Sequence, residues 1–270
     1  MNFTIRRQPS PEDVAVFADL KSPRRDGFFI AESEKIVIRL LSSKIEIDSL
    51  FLTEEYFQKN RSLLESHRQD TNAIVFIGDE GEMSRIVGFN LHQGILAHAK
   101  IPESIALDEY LTTLQQRALF VILDEVADAE NMGAICRTAL ALNASALIID
   151  SKSINPWSRR AVRVSMGAVF ELPIIFVNSL RDSIAFLRDK GIKTYATVLS
   201  ESATPIWECD LTQATAIVFG SEGHGIKDEI ILNCDEKITI PMRDTIFSLN
   251  VSTAQAIVLS EVSRQRIAKY

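Results

Sequence analysis

The chain has 270 residues, of which 46% are hydrophobic and 24% are charged, and its net charge is −7. This composition is ordinary for a globular protein and supplies enough apolar material for one large domain or two smaller ones. The negative charge argues against a protein covered by nucleic acid over its whole surface, although it allows a local basic patch.

Other sequence signals narrow the class of protein further. No apolar run reaches the roughly 18–20 residues that a membrane-spanning helix needs, and the N-terminal residues lack the apolar core of a secretory signal. The three cysteines have no CxxC spacing, so we expect reduced thiols in a cytoplasmic protein. The four histidines show no metal-ligand spacing, and we expect no metal site.

Residues 1–102 mix strand-like and helix-like segments and carry no chemical motif. Apolar, β-branched runs predict strands at 28–33, 47–52, 73–78, 87–89 and 94–97. Helical patterns occupy 35–41 and 54–67. The stretch 103–117 is rich in Leu, Thr and Gln and reads as a linker.

From residue 118 onward, short apolar runs alternate with helical patterns. Strands are predicted at 118–124, 146–150, 173–177, 193–199, 214–220 and 237–242, and helices at 133–142, 180–190, 227–232 and 251–268. Continuous apolar strands that alternate with helices indicate a mainly parallel sheet covered on both faces. Gly191 is the expected C′ residue of the helix 180–190.

Three unusual segments follow predicted strands in this second half. They read NMGAICRTA at 131–139, FGSEGHG at 219–225, and IPM with SLNVS at 240–242 and 248–252. A Gly-rich turn after a parallel strand is a common ligand site, because glycine lets the backbone approach a ligand closely. A nucleotide-dependent α/β enzyme is one interpretation, but the turn has neither the Walker lysine nor the GxGxxG order.

Together and in this order, the three segments resemble the motifs of the SpoU family of RNA 2′-O-methyltransferases, members of the knotted SPOUT class. The resemblance implies an α/β fold in which 118–270 form a mainly parallel sheet with a deep trefoil knot. Residues 1–102 would be a small α/β domain that resembles RNA-binding ribosomal proteins. It also implies S-adenosylmethionine as cofactor, a homodimer formed through the knotted domain, and RNA as substrate. The additional N-terminal domain favours ribosomal RNA over transfer RNA.

The resemblance also assigns the residues of the site. Cofactor contacts fall on Gly220, Ile240, Leu249 and Met242, although Met242 is equally explained by packing. The catalytic set is Asn131, Arg137, Glu222, Ser248 and Asn250. By family position Arg137 activates the 2′-hydroxyl, but an arginine pKa above about 12 makes phosphate anchoring the safer role. Asn131 is also explained as a helix N-cap, and Ser248 and Asn250 are also explained as caps of the last helix.

Two basic clusters are candidates for RNA contact. Arg159, Arg160 and Arg163 lie in a segment without acidic residues, and Arg24 and Arg25 follow Lys21. Either cluster is also explained by solvated arginines that bind nothing. A non-catalytic RNA-binding protein that kept the knotted fold stays open as an alternative, although the presence of all five catalytic-set residues argues against it.

The chain departs from the family pattern near the first motif. Ala129 stands where a proline commonly precedes the motif asparagine, and Asn143 stands where a glycine commonly follows the helix. Asparagine tolerates left-handed backbone geometry nearly as well as glycine, so we expect that geometry at Asn143.

Overall fold

The computed structural model describes residues 4–18, 27–66, 73–87, 94–114, 117–243, 245 and 248–267. The strands are β1 (Thr4–Arg7), β2 (Phe28–Glu32), β3 (Ile47–Thr53), β4 (Ile74–Gly78), β5 (Ile95–Lys100), β6 (Leu119–Asp124), β7 (Ala146–Asp150), β8 (Ile174–Val177), β9 (Lys193–Thr197), β10 (Thr204–Pro205), β11 (Thr215–Gly220) and β12 (Glu236–Thr239). The α-helices are α1 (Glu34–Leu41), α2 (Glu54–Ser66), α3 (Glu80–Val87), α4 (Leu107–Thr112), α5 (Ala129–Ala141), α6 (Arg159–Val164), α7 (Leu180–Asp189), α8 (Asp228–Ile231) and α9 (Val251–Ile267). Within these ranges, no helix is long and apolar enough to cross a membrane.

The chain divides into two compact units. The first comprises Met1–Glu103 with Trp157–Phe170, and the second comprises Ser104–Pro156 with Glu171–Tyr270. The sequence-based division placed 157–170 in the second domain, whereas their contacts place them in the first. The cause is visible in β2, where the ring of Phe29 lies 5.0 Å from that of Trp157 and 5.6 Å from that of Phe170. These aromatic contacts bury one face of β2 under the later segment.

The first unit is built on a five-stranded mixed sheet in the order β1-β4-β3-β5-β2. β1, β4 and β3 are parallel, and β5 pairs antiparallel with both β3 and β2. Its buried core contains side chains from the sheet and from two flanking segments: Val14, Phe17, Ile30, Phe51, Phe76, Met83 and Leu96. The strands predicted at 28–33, 47–52, 73–78 and 94–97 are confirmed. The strand predicted at 87–89 is wrong at Val87, which ends α3, while 88–89 lie outside the described residues.

Two of the arginines that the sequence offered for RNA binding are held inside the first unit. Arg159 Nε donates to Glu32 Oε2 over 2.9 Å, its Nη2 bonds the same oxygen, and Arg163 Nη1 lies 3.2 Å from Glu32 Oε1. The Glu32 side chain is only 7% exposed. One buried carboxylate therefore binds two guanidinium groups, and this pairing gives both arginines a structural role that needs no RNA.

We expect Glu32→Ala to lower the free energy of unfolding by about 2–3 kcal/mol, because it removes the carboxylate from a largely buried ion-pair network. Chemical denaturation of the wild type and of Glu32→Ala would measure the difference in the free energy of unfolding. Glu46→Ala is the matched control, since Glu46 and Lys100 are both more than half exposed and 3.8 Å apart, and such surface pairs contribute about 0–1 kcal/mol. Equal losses in the two variants would contradict a structural role for Glu32.

The second unit is built on a seven-stranded sheet in the order β10-β12-β9-β11-β6-β7-β8, and every pairing in it is parallel. All six residues of β6 are buried, as expected for a central strand covered on both faces. Phe120 and Ile122 pack with Ile184 and Leu187 of α7 in one core. On the other face α5 packs against α9, where Gln255 Nε2 donates to the backbone oxygen of Ile135. The predicted α/β class with a parallel sheet is confirmed.

Several helix and strand ends in this unit follow from the backbone requirements of single residues. Gly191 follows α7 with φ +76° and Asn143 follows α5 with φ +58°, so both take the expected left-handed conformation. Helix α5 begins at Ala129, four residues before the predicted start. The reason is Asp128, whose side chain accepts a hydrogen bond from the backbone N–H of Asn131 and caps the helix. The last strand stops at Thr239, because Pro241 cannot donate to a ladder.

Candidate active site

The carboxyl ends of β9, β11 and β12 open into a cavity of about 490 Å³. The order of strands reverses across β6 and β11, since β7 and β8 lie on one side and β9 on the other. Open parallel sheets bind ligands at such switch points, and the end of β11, one of the two strands at this point, lines the cavity. The residues that line the cavity come from these strand ends, from the turn after β11, from the segment after β12 and from α9: Thr197, Val198, Leu199, Ile206, Phe219, Gly220, Ser221, Glu222, His224, Gly225, Ile226, Ile231, Ile238, Thr239, Ile240, Met242, Ser248, Leu249, Val251, Ala254 and Val258. The walls are therefore mainly aliphatic.

The turn after β11 folds back tightly on Gly220. Ser221 and Gly225 form an antiparallel bridge, and Gly225 N–H donates to the Ser221 oxygen over 2.9 Å. A Cβ on Gly220 would lie 2.1 Å from the carbonyl carbon of Gly225 and 2.3 Å from the backbone nitrogen of Ile226. No side chain fits there, so glycine at this position is required by the backbone of the turn itself.

Three polar side chains from distant segments meet at the rim of this cavity. Asn131 Nδ2 donates to Glu222 Oε1 over 2.9 Å, and Asn250 Nδ2 donates to Asn131 Oδ1 over 2.8 Å. Asn250 Nδ2 also bonds Glu222 Oε1. One carboxylate oxygen thus accepts from two amides, and the three motifs of the sequence are joined by a single hydrogen-bonded cluster. We call it the Asn–Glu–Asn cluster.

Asn250 does two things at once. Its Oδ1 accepts from the backbone N–H groups of Ser252 and Thr253 at 3.0 and 3.3 Å, so it caps α9 as predicted. The capping bonds fix the amide plane, which leaves Nδ2 aimed at Glu222 and Asn131. The N-cap interpretation of Asn131 is wrong, since Asn131 lies in the first turn of α5 and Asp128 is the cap.

A second cavity of about 520 Å³ adjoins the first. It is lined by a loop after β6, the start of α5 and the turn after β11: Glu125, Val126, Ala127, Asp128, Asn131, Lys152, Ser221, Glu222, Gly223, His224 and Val251. Ser221, Glu222, His224 and Val251 line both cavities. Glu222 lines both cavities and Asn131 lines the second, so the Asn–Glu–Asn cluster stands at a wall that the two cavities share.

Ion pairs fix the far side of this second cavity. Glu125 lies 2.6 Å from Lys227 Nζ and 3.1 Å from Lys152 Nζ. The hydrogen bond from Lys227 lowers the pKa of Glu125, and the same bond raises the pKa of Lys227. The backbone N–H of Lys227 donates to buried Asp124 at the end of β6. Glu125 therefore stays ionised and is neutralised by its two lysines.

Comparison with known proteins decides the family. The model of the SpoU rRNA Methylase family matches residues 118–260. The chain belongs to this family. A relative, the 23S rRNA (guanosine-2′-O-)-methyltransferase RlmB of Neisseria meningitidis serogroup B, is 30% identical over 233 residues, which cover 86% of this chain and 92% of that protein. The predicted class of RNA methyltransferase is thereby confirmed.

Two solved structures resemble this SpoU family protein to different extents. The AdoMet-bound rRNA methyltransferase from Sinorhizobium meliloti superposes with a TM-score of 0.83 at 25% identity, covering 96% of this chain and 98% of that chain. The TrmH/SpoU tRNA modifying enzyme of A. aeolicus is 32% identical with a TM-score of 0.52, covering 57% of this chain and 78% of that chain.

The structure brings most of the expected site residues of this SpoU protein together. Gly220, Ile240, Met242 and Leu249 all line the first cavity, as does Ser248. Asn131, Glu222 and Asn250 form the cluster at the shared wall. Their roles toward a ligand stay predictions.

Arg137 is placed differently. It lies on the exposed side of α5, lines neither of the two cavities, and forms no hydrogen bond or ion pair within the part of the chain that the structure describes. An exposed guanidinium of this kind is free to meet a phosphate from solvent. Among the basic-cluster residues, Arg159 and Arg163 pair with Glu32, Arg160 lies on α6 beside them, and Arg24 and Arg25 fall outside the described residues.

Sequence analysis missed the charged residues of the second cavity. Glu125 follows β6 directly, Lys152 is the second residue after β7, and Asp128 precedes α5. A signal was present, because polar residues after parallel strands gather at one edge of the sheet. These residues lie outside the motifs, since Glu125 and Asp128 precede the first motif and Lys152 lies between the first and the second.

Proposed function

We propose that this SpoU family protein transfers a methyl group from S-adenosylmethionine to a ribose 2′-hydroxyl of ribosomal RNA. The observation that carries the proposal is the wall shared by the two cavities. A donor in the first cavity and a hydroxyl in the second would meet at the Asn–Glu–Asn cluster, and such positioning supplies much of the rate of a displacement reaction.

The first cavity fits the cofactor. Its volume of about 490 Å³ lies within the range of small-molecule sites, and its aliphatic walls suit an adenine face and a methionine chain. In the described part of the chain, no group accepts a hydrogen bond from the backbone N–H of Leu249, so this donor is open to a ligand. When bound, S-adenosylmethionine supplies an electrophilic methyl group on its sulfonium.

The protein's own residues must orient the hydroxyl and help its proton leave. The amides of Asn131 and Asn250 hold Glu222 in one position, so a polar group at the shared wall meets a fixed arrangement of donors and acceptors. Arg137 anchors an RNA phosphate from the exposed side of α5.

The choice of ribosomal over transfer RNA rests on coverage. The Neisseria meningitidis relative, named for 23S rRNA, is matched over 92% of its length, and the sinorhizobial rRNA methyltransferase covers 96% of this chain. The A. aeolicus tRNA modifying enzyme covers only 57% of it. The two rRNA proteins match the first unit of this chain as well as the second. The first unit is therefore our candidate for the RNA substrate-binding domain. The non-catalytic alternative is disfavoured because the cluster and the cofactor cavity are both complete.

Further features follow from the same family. We propose that the domain 118–270 contains the trefoil knot, that the protein acts as a homodimer through this domain, and that it works in the cytoplasm. Exposed apolar side chains on α9 support pairing, since Ile257 is 38% and Ile267 is 66% exposed.

Transfer of labelled methyl from S-adenosylmethionine into unmodified ribosomal RNA transcripts tests the proposal. We expect one labelled nucleotide whose 3′ linkage resists alkaline cleavage, because methylation blocks attack by the 2′-oxygen. Arg137→Ala should lower labelling about 100-fold or more, the usual size of losing one charge-stabilising group. Its affinity for the cofactor should stay unchanged, because Arg137 lines neither cavity.

Arg181→Ala is the matched control, since Arg181 is an exposed arginine on α7, the helix whose apolar side packs on the opposite face of the sheet. Labelling of transfer RNA transcripts instead of ribosomal RNA would support the alternative substrate. Absence of cofactor binding by the wild-type protein, measured by calorimetry, would overturn the assignment of the first cavity.

A further inference from the structure

Four residues line both cavities and so form the wall between them: Ser221, Glu222, His224 and Val251. If the proposed function holds, the methyl donor lies in the first cavity and the ribose hydroxyl in the second, and the methyl group is transferred at this wall. A side chain that takes a proton from the attacking oxygen must lie within hydrogen-bond reach of it. The wall is therefore the place to look for such a group.

Methylation of a ribose 2′-hydroxyl releases one proton. The oxygen forms a bond to the methyl carbon, the bond between that carbon and sulfur breaks with its electron pair on sulfur, and the O–H bond breaks. The sulfonium becomes a neutral thioether, so the proton needs another acceptor. A ribose hydroxyl is a very weak acid, and a positioned base that takes its proton contributes typically about 10²–10⁴-fold to the rate.

Three of the four wall residues are poorly suited to accept this proton. Val251 has no polar side-chain atom. Ser221 Oγ already accepts a bond of 3.3 Å from the backbone N–H of His224, and a hydroxyl itself needs an adjacent base to become reactive. Glu222 is committed to the Asn–Glu–Asn cluster, where its Oε1 accepts from two amides. Arg137 lies outside both cavities, and a guanidinium has no acceptor atom.

His224 is the wall residue whose polar side chain is uncommitted. Its imidazole is exposed and forms no hydrogen bond or ion pair within the part of the chain that the structure describes. Its backbone is held, since its N–H bonds Ser221 Oγ and the bridge between Ser221 and Gly225 closes the turn around it. A fixed turn therefore carries an imidazole that both cavities reach, and histidine is the side chain that most often exchanges protons near neutral pH.

We propose, on the basis of the proposed function, that His224 is a catalytic residue that accepts the proton of the ribose 2′-hydroxyl. Its unprotonated ring nitrogen accepts a hydrogen bond from the hydroxyl and takes the proton as the oxygen–carbon bond forms. Because the imidazole is exposed, it returns the proton to water after each transfer. Arg137 anchors the RNA phosphate, and the Asn–Glu–Asn cluster holds the turn that carries His224.

The charged groups that line a cavity together with His224 come from three segments. Glu222 lies in the same turn, Glu125 and Asp128 lie in the loop between β6 and α5, and Lys152 lies in the loop after β7. Within the described part of the chain, no other charged residue lines either cavity. All four groups are unchanged in His224→Gln, so the difference between its pH profile and that of the wild type isolates the imidazole.

The test measures methyl transfer by the full-length protein to a ribosomal RNA transcript that the wild type methylates, between about pH 5.5 and 8.5. We expect wild-type kcat/KM to fall with decreasing pH, because a protonated imidazole cannot accept a proton. His224→Gln keeps a polar side chain without a titrating group, so it should lack this fall and its kcat at neutral pH should be about 100-fold lower. Its KM for RNA and its affinity for S-adenosylmethionine should stay within about twofold of the wild type.

Chemical rescue separates proton transfer from a structural role. His224→Ala leaves space for a free imidazole molecule, and added imidazole should raise its kcat about tenfold or more without activating the wild type. Arg137→Ala is the matched control, because free imidazole does not replace a phosphate-binding guanidinium and should leave its activity low. Since His224 is exposed, both of its variants should keep the wild-type melting temperature.

Wild-type kcat in the two His224 variants would overturn the assignment of His224. A fall on the acid side that persists in His224→Gln would also overturn it, as would a His224→Ala enzyme that imidazole does not activate. Failure of the proposed function has a different signature, because the wild type would then bind the cofactor and methylate no RNA. The assignment of His224 would fall with it.

Discussion

Gly220→Ala is expected to weaken binding of S-adenosylmethionine by about 100-fold or more. The added Cβ would lie 2.1 to 2.3 Å from three backbone atoms of Gly225 and Ile226, and backbone cannot yield as a flexible side chain does. The turn must therefore open, which displaces Gly220 and Glu222 from the cavity wall. A 100-fold loss corresponds to about 2.7 kcal/mol, within the usual cost of overpacking.

Isothermal calorimetry with S-adenosylmethionine measures this effect, and circular dichroism checks that the sheet survives. Gly223→Ala supplies a matched control in the same turn, because a Cβ there meets nothing within 4 Å. Its affinity for the cofactor should stay within about twofold of the wild type. If Gly220→Ala bound the cofactor as tightly as Gly223→Ala, the first cavity would not be the cofactor site.

The second unit was predictable because each element carries its own signal. Continuous apolar strands such as β6 and β11 have no polar face, which only a sheet covered on both sides explains. The left-handed residues Asn143 and Gly191 marked two helix ends correctly. The grouping of residues 157–170 with the first unit was not foreseen, because the partner of Arg159 and Arg163 is Glu32, more than 120 residues away. No local pattern encodes such a pairing.

In the site, too, single residues were predictable from the sequence, whereas contacts between distant residues were not. Resemblance named residues of the second and third motifs that line the first cavity. It did not reveal that Asn250 Nδ2 donates hydrogen bonds to both Asn131 and Glu222. That contact joins residues from α5, from the turn after β11 and from the cap of α9, and it exists only after the sheet has folded. The second cavity was missed because its charged residues lie outside the three motifs: Glu125 and Asp128 share the loop between β6 and α5, and Lys152 lies in the loop after β7.

Asn250→Asp should reduce methyl transfer by about 100-fold or more while leaving the protein folded. Asp is as good an N-cap as Asn, so the bonds to Ser252 and Thr253 that start α9 persist. The new carboxylate, however, replaces two donated hydrogen bonds with a negative charge beside Glu222. Repulsion between the two carboxylates separates them, and a displacement of about 1 Å in an active site can cost a factor of about 100.

Measuring kcat and melting temperature together separates the two roles of Asn250. Asn250→Ser keeps a capping oxygen but has no amide, so it should lose activity without the added repulsion and keep its stability. Asn250→Ala loses both functions and should also unfold about 1 kcal/mol more easily. If Asn250→Asp kept wild-type activity, the cluster would serve only to cap α9 and to hold the turn, and catalysis would have to be assigned elsewhere. If all three variants lost activity in proportion to stability, the cap would be the whole explanation. Loss of activity at unchanged stability is the result that requires the hydrogen-bonded cluster itself.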